Sequence, residues 1–150
     1  MSPSPKADAS SGSSGFVVAG YLPEYRADAL DPAIGKYVSD LMYFSVEPKP
    51  TGDLDLSRLR PDHLRRLQTL RRQSGVRVLL TVGGWGRSAG FGPMTNVPAA
   101  RRRFITTLAR FCRENGLGGV MIWEVGQDLP PTNEASLLRA VHAAAPVRPL

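Results

Sequence analysis

Residues 76–86 read VRVLLTVGGWG, an apolar run that two glycines stop at once. Val76–Val82 is rich in β-branched residues and lacks the alternation of a half-exposed strand, which suits a strand buried in a parallel sheet. Gly83 and Gly84 break it, and Trp85 then stands between glycines in a loop.

Upstream, Pro61 to Ser74 predicts a helix. Proline suits the first helical position, Leu64, Leu67 and Leu70 form an apolar stripe, and Gly75 closes the end. Downstream, Asn96 is expected to cap a second long helix with Pro98 in its first turn. Phe104, Ile105, Leu108, Phe111 and Cys112 give that helix its apolar side, and Gly116 stops it. Farther out, Phe16–Leu22 (FVVAGYL) and Asp40–Val46 (DLMYFSV) read as two more buried parallel strands, with a short helix over Ala29–Lys36 between them. Gly119–Trp123 (GVMIW) makes a fourth strand. A last helix from about Asn133 to Ala144 carries Leu137, Leu138 and Val141 on one side.

Strand and helix thus alternate about four times, which implies an α/β fold with a parallel sheet covered by helices. Either an open doubly wound sheet or part of a (β/α) TIM-type barrel satisfies that order. A complete eight-unit barrel typically needs about 250 residues, so a chain of 150 residues holds only a partial one.

Met1–Gly15 contains almost no bulky apolar side chain and is expected to be a disordered lead-in, leaving 16–150 as the domain. The lead-in lacks the apolar core of a secretory signal, and no run approaches the roughly 20 apolar residues of a membrane helix. Cys112, the only cysteine, excludes an internal disulfide and reads as a small buried hydrophobe. His63 and His142 are expected on polar helix faces in solvated or capping roles. The net charge of +6 comes mainly from Arg65, Arg66, Arg71, Arg72 and Arg101–Arg103. These arginines interleave with apolar residues at helical spacing, which makes them a solvated outer face rather than a nucleic-acid surface. No phosphate-binding fingerprint, nucleophile elbow or paired histidine appears, so no cofactor and no metal is expected.

In parallel α/β folds binding groups gather at the carboxyl ends of the strands. Those ends carry Tyr21, Phe44 to Glu47, Thr81 to Trp85, and Trp123 with Glu124. Aromatic rings there suit pyranose sugars, whose flat apolar face packs on a ring while the hydroxyls bond at the edge. Packing in the core is the competing role, evenly balanced for Phe44 and less favoured for Trp85.

These strand ends resemble family-18 glycoside hydrolases, the chitinases and chitinase-like lectins. The likeness rests on Gly20-Tyr21, on Phe44-Ser45, and on Leu79-Leu80-Thr81-Val82-Gly83-Gly84-Trp85, where Thr81 keeps the hydroxyl of the family's usual serine. It continues through Phe104, Phe111 and Glu114-Asn115-Gly116, covering about residues 16 to 116. The resemblance implies binding of, or action on, β-1,4-linked N-acetylglucosamine polymers (chitin), with Tyr21, Phe44, Gly83, Gly84, Trp85 and Trp123 as substrate-binding residues. It implies no cofactor, and family members are often secreted.

The family's next strand carries Asp-x-x-Asp-x-Asp-x-Glu. Its Glu protonates the glycosidic oxygen while the substrate's own N-acetyl group attacks the anomeric carbon. With Glu124 as that acid, the three aspartate positions fall on Leu117, Val120 and Ile122, none of them acidic. Glu124 is therefore a weak catalytic candidate, and catalytic impairment is expected. Gly118–Glu124 with Gln127-Asp128 instead resembles the family's last barrel strand, whose tryptophan floors the sugar site. On that alignment the catalytic strand and the middle of the barrel are missing, with a junction near 115–119. An alternative transcript, an internal deletion or a faulty gene prediction would each produce it. Activity, non-catalytic oligosaccharide binding and an inactive truncated product all stay open. Open sheet edges would favour self-association or aggregation.

Overall fold

The computed structural model describes residues 15–145, so the expected lead-in lies outside the described residues except for Gly15. In chain order come β1 (Ala19–Pro23), β2 (Asp40–Pro48), β3 (Leu54–Asp55), α1 (Pro61–Ser74), β4 (Arg77–Gly83), α2 (Phe91–Thr95), α3 (Pro98–Glu114), β5 (Gly119–Trp123) and α4 (Leu137–Ala144). Four strands pair in parallel in the order β1-β2-β4-β5, while the two-residue β3 turns back antiparallel on β2. The α/β sheet with alternating helices is thus present. β5 takes the place beside β4, with Leu79 opposite Gly119 and Gly83 opposite Trp123.

The register divides the sheet into two unlike faces. Partners across a parallel ladder point the same way, and successive residues point oppositely. Leu22, Leu41, Tyr43, Val46, Val78, Leu80 and Val82 share one face and are all buried, with α1 and α3 supplying Leu67, Leu70, Phe104, Ile105 and Leu108 to the same core. Tyr21, Met42, Phe44, Leu79, Met121 and Trp123 share the other face, and each is exposed or half-buried. A helix layer therefore covers one side only, as it covers the outside of a (β/α) barrel.

The helix starts obey different physics from those expected at two points. Asn96 does not cap α3. It ends α2, its amide donating to the carbonyls of Gly92 and Met94, and α3 begins after Val97 without a side-chain cap. Pro98 presets the backbone for the first turn and has no amide to satisfy. α4 starts at Leu137 rather than near Asn133, because Ser136 is its cap and accepts from the Arg139 amide. The Ala29–Lys36 helix is replaced by two 3-10 turns, Glu24–Ala29 and Pro32–Lys36.

The first strand is also less buried than its apolar sequence suggests. Phe16, Val17 and Val18 precede β1 and are exposed, because β1 is an edge strand with no helix over its inner face. Gly116, at φ 62°, ends α3, and the Leu117 amide donates back to the Cys112 carbonyl. Cys112 is buried, and burial pushes its thiol up to about 11.

Candidate functional site

The carboxyl ends of β1, β2, β4 and β5 line one rim of the sheet, and Tyr21, Phe44, Trp85 and Trp123 lie along it. Tyr21 ends the exposed part of β1 and meets Phe44 of β2 with ring centroids 5.3 Å apart. Phe44 is half-buried and serves both packing and surface. Gly83 and Gly84 turn the chain at φ 77° and 115°, and a Cβ on Gly84 would run into the Phe44 ring. Trp85 is 96% exposed and Trp123 56% exposed, so neither is held in the core. Among the described residues neither indole stacks on another ring.

Behind this row sits a charged network that motif reading missed. Arg87 donates to both carboxylate oxygens of Glu24, at 2.7 and 3.3 Å, and to Ser45 Oγ at 3.1 Å. Its guanidinium also lies 4.3 Å from the Phe44 centroid, a cation–π geometry. Arg58 joins Glu24 at 3.6 Å and Glu47 at 3.4 Å. The Arg87 and Glu24 side chains are each only 13% exposed, so the pair is shielded from water and fixes the ring beside it. Burial pushes the Glu24 carboxyl up, but the Arg87 hydrogen bonds and the positive charges of Arg87 and Arg58 outweigh it and hold the group below its ordinary range. Desolvation raises the Tyr21 phenol.

Glu124 follows Trp123 at the far end of the rim. It is exposed, and no hydrogen bond or ion pair to its carboxylate is formed among the described residues. Beside it lies a cleft of about 280 Å³ lined by Phe91, Thr95, Trp123, Glu124, Asp128 and Leu138, among others. Asp128 has both carboxylate oxygens already engaged. It accepts from the Leu137 and Leu138 amides at 2.9 and 2.8 Å and from Ser136 Oγ at 2.9 Å, anchoring the start of α4.

His63 departs from its expected place. It is buried rather than solvated, because Tyr43 on β2 points between the sheet and α1 and bonds His63 Nδ1 at 2.9 Å. The other ring nitrogen meets Asp28 at 3.2 Å. Asp28, Asp62 and His63 bring ligand-type atoms within 4.8 Å of one another, but Arg60 bridges the two carboxylates at 2.8 and 2.5 Å. A cation is already present there as the guanidinium, so the cluster works as a strut. His142 is exposed as expected, and no helix among the described residues is long and apolar enough to cross a membrane.

Residues 17–128 match the sequence profile of the glycosyl hydrolases family 18. Among solved structures, a family-18 N-acetylglucosaminidase from Paenibacillus barengoltzii superposes with a TM-score of 0.71 at 26% identity, over 87% of this chain and 40% of that one. The chitinase domain of the spore coat protein CotE from Clostridium difficile gives 0.66 at 22% identity, over 94% and 42%. Human YKL-39, described as a pseudo-chitinase with retained chitooligosaccharide binding, gives 0.69 at 18% identity, over 87% and 38%. The chain spans about two fifths of the length of each of these three relatives.

Proposed function

Because the chain belongs to the glycosyl hydrolases family 18, we propose that it binds β-1,4-linked N-acetylglucosamine oligosaccharides along the strand-end rim without hydrolysing them. The observation that carries this reading is the exposed aromatic row of Tyr21, Trp85 and Trp123 beside a glutamate that lacks the family's preceding aspartates. Aromatic faces supply the contact that a pyranose ring needs. Glycosidic cleavage by this family's substrate-assisted route needs more: a proton donor tuned near neutral pH and a neighbour that holds the acetamido group. Glu124 is open to water and is preceded by Leu117, Val120 and Ile122 where the aspartates belong. The pseudo-chitinase relative is an example in which binding and turnover are separable on this fold.

Arg87 and Phe44 support the binding role. A ring pinned between a guanidinium and the Gly84 backbone offers a fixed platform, so little side-chain entropy is lost when a sugar docks. We further propose that the segment 118–124 corresponds to the family's last strand, brought next to β4 by loss of the intervening units.

Incubation with a fluorogenic chito-oligosaccharide and with insoluble chitin tests both halves. Chitin should retain the protein, and no fluorophore should be released. Release that disappears in Glu124→Gln would overturn the non-catalytic reading. Absence of retention, with no release, would favour the inactive truncated product instead.

A further inference from the structure

We propose that two copies of this chain close face to face into a single eight-stranded parallel barrel, β5 of each copy pairing with β1 of the other. In that assembly the partner's Trp123 stands next to Tyr21, so each sugar-binding rim is completed across the interface. The closure stands on the sheet itself and does not depend on the ligand.

Strand arithmetic is the first argument. The four parallel strands are half of the eight in a (β/α) barrel. Of the four parallel strands, only β1 and β5 have an outer edge without a parallel neighbour among the described residues. A two-fold axis along the barrel keeps all eight strands parallel and joins β5 to β1 twice, so both edges are satisfied in one step. An assembly through a single edge would leave two others open to further addition.

The unlike faces are the second argument. The side toward the helices is sealed, whereas Tyr21, Met42, Phe44, Leu79, Met121 and Trp123 remain exposed or half-buried on the side that would line a barrel.

Charge does not oppose the approach. On the inner face Asp40 pairs with Arg77 at 2.6 Å at the amino end of the strands, and at the carboxyl end Arg87, beside the inner-facing Phe44, is neutralised by Glu24 at 2.7 Å. The arginines of α1 and α3 lie on the opposite side of the sheet, turned away from the partner.

Light scattering coupled to size exclusion, on the whole chain from about 1 to 100 µM, should give twice the 16.2 kDa chain mass with no growth at the top of the range. Amide exchange along β1 and β5 should be as slow as along β2 and β4. Met121→Arg, which puts a charge on the inner face, should return the mass to one chain while circular dichroism keeps its helical signal. A wild-type monomer throughout, oligomers that grow with concentration, or a dimer whose β1 and β5 amides exchange freely would each overturn the closed barrel. Sugar binding by a stable monomer would leave the ligand reading intact and sink only this one.

Discussion

Arg87 is 63 residues from Glu24 in the chain and 42 from Ser45, yet all three meet behind Phe44. No periodicity or motif links such positions; only the parallel register of β1, β2 and β4 brings them together. That is why the charged support of the site was not legible, whereas Tyr21, Phe44, Trp85 and Trp123 stood out from their types and strand-end positions. His63 failed for a similar reason: its place on a helical wheel is polar, and its partner Tyr43 arrives from another element. Replacing Arg87 by Gln leaves Glu24 shielded and unpaired. We expect a loss of about 1–3 kcal/mol, scaled down from a fully buried pair because both groups keep some water. A thermal melt checks this, and a displaced Phe44 should weaken oligosaccharide binding as well. Tyr43→Phe removes the hydroxyl from His63 and should cost about 1–2 kcal/mol in the same assay.

The carboxylates also set an acid limit. Glu24 and Asp128 both bind protons less readily in the folded chain than their ordinary values imply. For Asp128, burial alone would raise the group, but the Leu138 and Leu137 amides, the Ser136 hydroxyl and the Leu129 amide together lower it. Groups lowered by folding add stability above their unfolded values near 4, and that stability is lost as pH falls through their folded values. The melting temperature should therefore be flat near neutrality and fall below about pH 4. An unchanged melt at pH 3 would remove these two groups from the account.

At the scale of elements, α1 and α3 were readable from apolar spacing with proline at the start and glycine at the end, and β4 and β5 from short continuous apolar runs. β5 even has the bounds its sequence suggests, Gly119–Trp123. The two misread helix starts involve chain that finds a nearer partner. Asn96 is taken by α2, and the residues after Asn133 fold into a turn before Ser136 caps α4. Asp128 is the more distant anchor of that helix, so Asp128→Ala should cost about 1–2 kcal/mol and loosen α4 against α3. Hydrogen exchange would register it as faster opening of Leu137–Ala144 than of α3. Gly84→Ala addresses the loop. A methyl there meets the Phe44 ring at a backbone angle that side chains rarely adopt, so a clear drop in melting temperature is expected.

For the whole molecule, the order of strands and helices was sufficient to predict a parallel α/β sheet, because parallel strands need long crossover connections, and the likeness of the strand ends to family 18 chose the partial barrel over an open doubly wound sheet. The resemblance implies that the fourth strand could take the vacated place beside the third, and β5 lies there. Its pairing with β4 follows from a continuous register, Leu79 through Gly83 against Gly119 through Trp123, that no pattern within either strand encodes. The outcome is a rim that keeps its aromatics and one unsupported glutamate. Titration of the chain with tetra-N-acetylchitotetraose, following the emission of Trp85 and Trp123, tests that account most directly. Saturable change in emission, lost in Trp85→Ala or Trp123→Ala and accompanied by no shortening of the tetramer, is the predicted result. Flat emission, or cleavage of the tetramer by wild-type chain, would contradict it.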